Sequence, residues 1–242
     1  MGLFEKSASY YDAIYDARGK NYGRETKRLR ELIRKHQRST GKTLLDVACG
    51  TGRHISFLKQ SFKVEGLDLD RRLLAIARRR NPGITFHYGN MLNFKLYTQF
   101  DVITCLFSAI GYMTSYRKLQ QAIRNMERHL KPGGVLIIEP WLTPAAYIPG
   151  LVSAVFVNQP KLKIARMNRT LIKGCISILD FHYLVATPDS IKYFTEHDEF
   201  GLFAHNQYLK AFHAAGLKVV RDSRGLIGRG LYIGTKPLRR LD

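Results

Sequence analysis

Two aspartates and a glycine-rich turn near the start of the chain have the types and spacing needed to hold a nucleoside. Residues 44–52 read LLDVACGTG, so an apolar run that contains Asp46 leads into Gly50 and Gly52. Glycines in such a turn let the backbone approach a ligand at the carboxyl end of a buried strand. Asp68 ends the next apolar run, where an acid can accept hydrogen bonds from both hydroxyls of a ribose.

This arrangement departs from the fingerprint of dinucleotide-binding proteins in two ways. The third glycine is missing because position 55 is Ile. Asp46 also places a carboxylate where it would repel a pyrophosphate, although it suits the ammonium of an amino acid. An amino acid joined to a nucleoside without a phosphate describes S-adenosylmethionine (SAM). We therefore predict SAM as the cofactor, S-adenosylhomocysteine as its product, and no metal.

The elements that must position these residues follow from alternating apolar runs and amphipathic segments. Strands are expected at residues 43–48, 63–67, 84–88, 100–107 and 135–138. Helices are expected at about residues 24–37, 53–60, 70–80 and 115–130, the third of them capped by Asp70. Strand and helix at this spacing predict right-handed crossovers and a sheet covered on both faces. The fold class is α/β: a Rossmann-like, doubly wound, mostly parallel sheet.

From Trp141 onward the rhythm changes to strands without intervening helices. Segments at residues 151–157, 161–171, 175–186 and 191–203 are expected to be antiparallel, with a tight turn at Lys173-Gly174. A helix at about 206–215 and strands at 217–220 and 231–234 return the chain to the main sheet. We predict one domain over residues 1–242, a helical cap at 1–40, and an antiparallel β insertion or lid at 141–203.

Composition limits the classes of protein that this chain can be. With 242 residues, 45% of them apolar, it can bury one core without disulfides. Three scattered cysteines fit a reducing cytoplasm, and the prolines and Glu139 within the most apolar stretch, 135–157, argue against a membrane span. The formal net charge of +20 indicates either solvated helix faces or attraction to an anionic partner, and it does not distinguish a nucleotide from RNA.

The motifs together resemble those of class I SAM-dependent methyltransferases. They are LLDVACGTG, GLDLD at 66–70, GNM at 89–91, FDVITCLFSAIGYM at 100–113 and LKPGGVLIIEPW at 130–141. The resemblance implies that Asp46, Ala48 and Gly50, in the turn completed by Gly52, hold the methionine part. It also implies that Asp68 and Leu69 hold the ribose and the adenine edge, and that Asn90 and Met91 flank the adenine. The backbone near Leu106 is then expected to approach the sulfonium.

A closer resemblance spans nearly the whole chain. YYDAIYDARGKNY at 10–22, FSAIGYM, EPWLTP at 139–144, DFHYLVA at 180–186 and GRGLYIG at 228–234 are similar to the dTDP-aminosugar N,N-dimethyltransferases, themselves similar to glycine N-methyltransferase-like enzymes. This resemblance implies N-methylation of an amine on a small, anionic, nucleotide-linked sugar.

Methyl transfer requires alignment of nucleophile, methyl carbon and sulfur, together with exclusion of water. A neutral amine needs no strong general base, and the sequence offers no compelling candidate. We expect Tyr11 and Tyr112 to position the reacting groups, and Tyr15 and Tyr22 to contact the cofactor.

The candidate substrate-binding residues are Trp141, His182 and Arg229. Arg229 lies between two glycines and could bind phosphate in a bidentate manner, although a solvated loop arginine has the same appearance. His182 and His197 could touch substrate, but each is expected on a strand, where a structural role is the simpler interpretation.

Three alternatives stay open on the sequence alone. The charge favours an RNA or tRNA methyltransferase, against which CLFSAIGYM lacks the Asn/Asp-Pro-Pro-aromatic signature of methylases that act on base amines. Another small-molecule acceptor and a SAM-binding protein without catalysis are the other two. The oligomeric state is not predicted.

Overall fold

The computed structural model describes residues 6–238, and its largest element is a seven-stranded sheet. Its strands are β1 (Thr43–Val47), β2 (Lys63–Asp68), β3 (Thr85–Tyr88), β4 (Phe100–Cys105), β5 (Leu130–Ile138), β10 (Lys218–Asp222) and β11 (Leu231–Thr235). The spatial order is β10-β11-β5-β4-β1-β2-β3. The pairs among β1 to β5 are parallel, and β11 is antiparallel to both of its neighbours. The chain moves outward in opposite directions from β1 and β4, and the carboxyl ends of these two strands are where α/β sheets open a crevice for ligands.

Six α-helices accompany the strands in the described residues. They are α1 (Tyr11–Ala17), α2 (Tyr22–His36), α3 (Arg53–Leu58), α4 (Arg71–Arg80), α5 (Tyr116–Arg128) and α6 (His205–Ala214). Apolar side chains of α2, α3 and α4 pack on one face of the sheet, and those of α5 and α6 pack on the other. No helix within residues 6–238 combines the length and apolar character needed to cross a bilayer.

Alternation along the central strands explains why both faces are apolar. In β1, Leu44 packs in the core beneath α2 to α4, whereas Leu45 and Val47 pack in the core beneath α5 and α6. The strands are therefore buried on both sides, as parallel strands in α/β proteins are. The predicted doubly wound, mostly parallel fold is confirmed.

Local signals fix several helix ends. Asp70 caps α4 as predicted, because its side chain accepts hydrogen bonds from the backbone N–H groups of Arg72 and Leu73. The helix predicted at residues 24–37 begins earlier, at Tyr22, because Asn21 accepts a hydrogen bond from Arg24 N at 2.8 Å and acts as its cap.

A second sheet has four antiparallel strands in sequential order: β6 (Val152–Gln159), β7 (Leu162–Lys173), β8 (Ile176–Thr187) and β9 (Ser190–Gly201). The predicted turn joins β7 to β8, where Gly174 has a φ of 58°. These strands agree with the predicted insertion, although its limits at 141 and 203 stay a prediction.

Helix α1 joins the two sheets. Ile14 packs in a third apolar cluster with residues of β6 to β8, among them Phe181. On its other side, Asp12 pairs with Arg80 and Asp16 pairs with Arg53, so carboxylates of α1 contact the helices of the main sheet. The predicted helical cap at residues 1–40 contains α1 and α2, and its first five residues lie outside the described part of the chain.

Candidate active site

A cavity of about 980 Å³ lies between the carboxyl ends of β1, β2 and β4 and one face of the second sheet. We call its two sides the strand-end wall and the sheet-face wall. The strand-end wall comprises Ala48, Gly50, Asp68, Leu69, Asn90, Met91, Leu106, Phe107 and Ser108. The sheet-face wall comprises six residues of the second sheet and three from other segments that line the same side: Asn168, Thr170, Leu179, Phe181, Asp198 and Phe200, with Tyr112, Trp141 and Arg229. Tyr11 and Tyr15 of α1 also line the cavity.

Backbone strain is concentrated in the strand-end wall. Among the described residues, the non-glycine positions with positive φ are Ala48 (57°), Phe107 (52°) and Ser108 (62°), and all three line the cavity. Such conformations persist only where the surroundings impose them. Glu139 Oε2 accepts a hydrogen bond from Phe107 N at 2.6 Å, and Ser108 Oγ donates to Pro140 O at 2.7 Å. The end of β5 therefore holds the loop after β4 in its strained form.

The two glycines of the first turn have different tasks. Both have positive φ, 56° at Gly50 and 72° at Gly52. A Cβ on Gly50 would meet no atom within 4 Å, and Gly50 lines the cavity, so its backbone is open to a ligand. A Cβ on Gly52 would lie 2.9 Å from Asn81 Nδ2 and 3.1 Å from Ala77 Cβ. Gly52 thus allows close packing behind the turn and does not line the cavity as a cofactor contact would.

Asp68 is the carboxylate of the strand-end wall. Its Oδ2 accepts a hydrogen bond from Gly50 N at 2.7 Å, and its Oδ1 accepts one from Asp70 N at 2.8 Å. Burial raises the pKa of Asp68 to about 6, against the opposing effect of these backbone N–H groups. Each carboxylate oxygen keeps a further lone pair, so the group can still accept hydrogen bonds from a ligand.

The predicted adenine-side residues follow Asp68 along the wall. Leu69 is exposed to 45%, and Met91 is buried. Asn90 uses its Oδ1 to accept a hydrogen bond from Leu92 N at 2.9 Å, which fixes the turn that presents Asn90 and Met91. An apolar slot beside a carboxylate fits a nucleoside, because it can hold a flat base and two hydroxyls.

Asp46 lies behind the strand-end wall and does not line the cavity. It is 2% exposed, and its Oδ1 accepts a hydrogen bond from Thr104 Oγ1 at 2.7 Å. Burial raises its pKa, while the charge of His54 opposes that shift. Asp46 therefore does not face the cavity for the predicted direct contact with an amino acid, and its side chain is hydrogen-bonded to β4 behind the wall.

A polar network from the N-terminal segment reaches the cavity, and sequence reasoning missed it. Glu25 accepts from Lys20 Nζ at 2.9 Å and pairs with His54 Nε2 at 2.8 Å, and both Lys20 and Glu25 line the cavity. Burial acts to raise the pKa of Glu25, but the hydrogen bond and charge of His54 and the charge of Lys20 lower it overall. Tyr22 does not line the cavity; its ring lies edge-on to His54 with centroids 4.9 Å apart.

Aromatic rings form much of the remaining surface. Tyr15 stands between Tyr11 and Phe107, with ring centroids 4.6 and 4.7 Å away. On the sheet-face wall, Phe200 stacks between Tyr112 and Trp141 at 4.6 and 4.7 Å.

Two neighbours complete this aromatic surface. Gly111 makes the close packing possible, since a Cβ there would lie 2.9 Å from both Phe200 and Trp141. The guanidinium of Arg229 lies 4.7 Å from the centre of the Trp141 ring and donates to Ser108 Oγ at 2.6 Å.

Asp198 is a cavity residue that the sequence analysis did not identify. It is 8% exposed, and its Oδ1 is buried without a hydrogen-bond partner. Burial and the charge of Glu196 raise its pKa to about 7, while a hydrogen bond from Tyr112 and the charge of Arg166 act in the opposite direction. The signal available in the sequence was the alternation along β9, which puts residues 196, 198 and 200 on the same face of the strand.

His182 lies on the wrong face for its predicted role. It neighbours Phe181 on β8, so its side chain points away from the cavity that Phe181 lines, and its Nδ1 lies 2.6 Å from Tyr193 Oη. The structure therefore does not place His182 with Trp141 and Arg229. His197, at the cavity edge, has its nitrogens 4.0 Å from carboxylate oxygens of Asp180 and Glu199.

Comparison with known proteins adds independent information. Residues 44–134 match the family described as methyltransferase domain. The chain is 41% identical to the dTDP-3-amino-3,6-dideoxy-alpha-D-glucopyranose N,N-dimethyltransferase of Streptomyces fradiae, over 94% of this chain and 89% of that protein. It resembles the crystal structure of Streptomyces venezuelae DesVI, with 35% identity, a TM-score of 0.90, and coverage of 96% and 98%. It also resembles the structure of SAM-bound CalS10, an amino pentose methyltransferase from Micromonospora echinaspora involved in calicheamicin biosynthesis. The identity is 36% and the TM-score is 0.85, over 94% of this chain and 96% of that one.

Proposed function

This chain belongs to the dTDP-aminosugar N,N-dimethyltransferase family of SAM-dependent methyltransferases, and we propose that it methylates the amine of a nucleotide-linked aminosugar. The predicted enzyme class and cofactor are confirmed by these relatives. The acceptor and the residues that bind it remain proposals. We also keep the predicted cytoplasmic location as a proposal.

The strand-end wall fits SAM. We assign the ribose hydroxyls to Asp68, the adenine to the slot between Leu69 and Met91, and the amino-acid part to the backbone at Ala48 and Gly50. When bound, SAM supplies a methyl group on a positively charged sulfur, which is already a strong electrophile. The protein's part is then to bind, orient and exclude water.

The observation that best supports an anionic acceptor is a pair of guanidinium groups at the cavity. Arg229 and Arg18 both line it, and within residues 6–238 neither forms an ion pair with a carboxylate. Burial lowers the pKa of Arg229, and the charge of Arg18 lowers it further, while the charge of Glu139 opposes both. Two cations that repel each other are stabilised by an anion between them, and a diphosphate has the required charge.

Two phenols are suited to orient the reacting amine. Burial raises the pKa of Tyr11 and of Tyr112 well above the usual value. Both hydroxyls therefore stay protonated at neutral pH and keep their hydrogen-bonding capacity. With the rings of Tyr15 and Phe200 they form a dry surface around the site of transfer.

The test is transfer of labelled methyl from SAM to dTDP-3-amino-3,6-dideoxy-α-D-glucopyranose, the acceptor in the name of one relative. We expect two methyl groups per sugar by mass spectrometry. The matched control is the same nucleotide sugar with a hydroxyl in place of the amine, which should receive none. Absence of transfer to any dTDP-aminosugar would overturn the proposal.

RNA is the alternative acceptor that the charge of +20 favours. If the protein bound RNA through six or more phosphates, raising the salt from 50 to 200 mM would lower its affinity for RNA roughly a thousandfold. A diphosphate held by two arginines should show a much shallower dependence. Stoichiometric methylation of RNA at physiological salt would favour the alternative.

A further inference from the structure

One carboxylate oxygen of the sheet-face wall has no structural task. Asp198 Oδ1 is buried and unpartnered, and Asp198 lines the cavity. We propose that the Asp198 carboxylate binds the acceptor amine and takes the proton that the amine must lose before each methyl transfer. This inference rests on the proposed function, because it names a residue that acts on the same substrate.

A purely structural role does not account for Asp198. A buried carboxylate without its full set of hydrogen bonds costs free energy, so such a group is normally paired or replaced by an apolar residue. Its register neighbour on β8 is Leu179, which offers no partner. A carboxylate that lines a cavity and lacks its full set of partners can be satisfied by a ligand that donates hydrogen bonds.

The charged and titratable groups around Asp198 come from three elements. The hydroxyl of Tyr112, on the short 3-10 helix Ala109–Tyr112, and the positive charge of Arg166 on β7 both act to lower the pKa of Asp198. The negative charge of Glu196, on its own strand, acts to raise it. Arg166 is 3% exposed and has an unpartnered Nε, and its guanidinium lies 4.9 Å from the centre of the Phe181 ring and 5.7 Å from that of Tyr15. Within the described residues, no donor is hydrogen-bonded to Oδ1, and the residue as a whole lines the cavity.

The proton must move because an alkyl amine is an ammonium at neutral pH, with a pKa of about 10 in water. The ammonium passes one proton to the Asp198 carboxylate, giving a neutral amine and a carboxylic acid. A dry cavity favours this neutral pair over two separated charges. The lone pair of the amine then forms the C–N bond while the C–S bond breaks, and that electron pair stays on sulfur.

The product nitrogen carries one methyl group and a positive charge. Asp198 releases its proton to solvent before the second round, so one proton leaves per methyl transferred. A pKa of about 7 suits both halves of this cycle, because the group can accept a proton from the amine and return it near neutral pH.

The first experiment compares Asp198→Asn with the unaltered enzyme across pH 6 to 9. We expect kcat/KM to fall roughly 100- to 10,000-fold at pH 7, the usual contribution of a general base. The deficit should shrink by about tenfold per pH unit as solvent deprotonates more of the amine. Asp189→Asn is the matched control, since it changes an exposed carboxylate on the same β8–β9 hairpin and should leave kcat/KM unchanged.

The second experiment does not depend on turnover. Calorimetry of dTDP-3-amino-3,6-dideoxy-α-D-glucopyranose binding, in buffers of different ionisation enthalpy, counts the protons released. An ammonium that requires the ionised carboxylate should release about half a proton at pH 7 and almost none at pH 9. Asp198→Asn should release none at either pH.

The outcomes separate the two proposals. If the unaltered enzyme methylates the aminosugar and Asp198→Asn has the same pH profile and the same proton count, the role of Asp198 is wrong and the proposed function stands. If the unaltered enzyme binds no dTDP-aminosugar, both fail. SAM affinity and melting temperature of Asp198→Asn should match those of the unaltered enzyme, which excludes unfolding as the cause of lost activity.

Discussion

The two walls of the cavity each hold a buried carboxylate with a raised pKa, yet they treat it differently. Asp68 has both oxygens engaged by backbone N–H groups, so its position follows from the course of the main chain. Asp198 has one oxygen without a hydrogen-bond partner, and the groups that influence its pKa are the side chains of Glu196, Tyr112 and Arg166. A wall built from backbone suits a ligand that never changes, such as SAM. A wall built from side chains can be altered one residue at a time, which suits an acceptor that differs among relatives.

The largest effect expected on ligand affinity is at Asp68. On the proposed assignment, Asp68→Ala removes two charge-assisted hydrogen bonds to the ribose, about 2–4 kcal/mol, so SAM should bind roughly 30- to 700-fold more weakly. The fold should persist because the residue lies at the mouth of the sheet. Calorimetry measures both the affinity and the melting temperature, and an unchanged dissociation constant would contradict the assigned role.

A smaller effect is expected at Arg229, on the opposite wall. Arg229→Ala should raise KM for the nucleotide sugar about 10- to 100-fold, because hydrogen bonds to a charged group are worth about 1.5–3 kcal/mol. SAM affinity should change little. Arg224→Ala, an exposed arginine of the same segment, is the control. Equal losses of SAM and acceptor affinity would show that the walls are not independent.

The pH dependence of cofactor binding sharpens the same comparison. The pKa of Asp68 is about 6, above its value in an unfolded chain, so protonation competes with ribose binding in acid. SAM affinity should be constant above pH 7 and fall by up to tenfold per unit below pH 6. Calorimetry of Asp68→Asn should give a weak affinity with a flat profile over this range. A steep acid loss in that variant would assign the titration to another group.

The sign of the stability effect at Asp68 follows from the same shift. Because the folded protein binds this proton more tightly than the unfolded chain does, the ionised form costs stability. Its contribution therefore declines as pH rises from about 4 through 6, in the protein without SAM. Thermal melts of the unaltered protein and Asp68→Asn should converge at the acid end of this window.

The smallest effect is expected on the outer face of the second sheet. His182→Ala should change kcat and KM less than twofold, because its side chain points away from the cavity. A larger loss would mean that the two faces of β8 are coupled in catalysis. Asn168→Ala, on the cavity side of β7, should by contrast change acceptor KM.

The sequence predicts the strand-end wall well because its signals are local. The apolar run, the glycine turn and the acid at the next strand end lie within 25 residues, and their geometry follows from strand, turn and helix alone. The sheet-face wall depends on register and on which face each residue takes. His182 and Phe181 are adjacent on β8, so their side chains lie on opposite faces of the sheet. A prediction that is wrong by one residue therefore selects the wrong face.

Contacts between distant segments were beyond sequence reasoning for the same physical reason. Nothing near Glu25 indicates that it pairs with His54, because that contact depends on how α2 packs on α3. Asp198 was missed because nothing in its own segment shows that it lines the cavity. Tyr112, which influences its pKa, comes from another part of the chain.

Helix α1 is the first α-helix of the described residues and, by its contacts, among the last to become ordered. A seven-residue helix is not stable alone in water. Ile14 finds its apolar partners only on strands more than a hundred residues later, and contacts so distant in sequence form late in folding. Tyr11 and Tyr15 therefore reach the cavity late in folding, so the lining of the cavity is complete only when both sheets have formed.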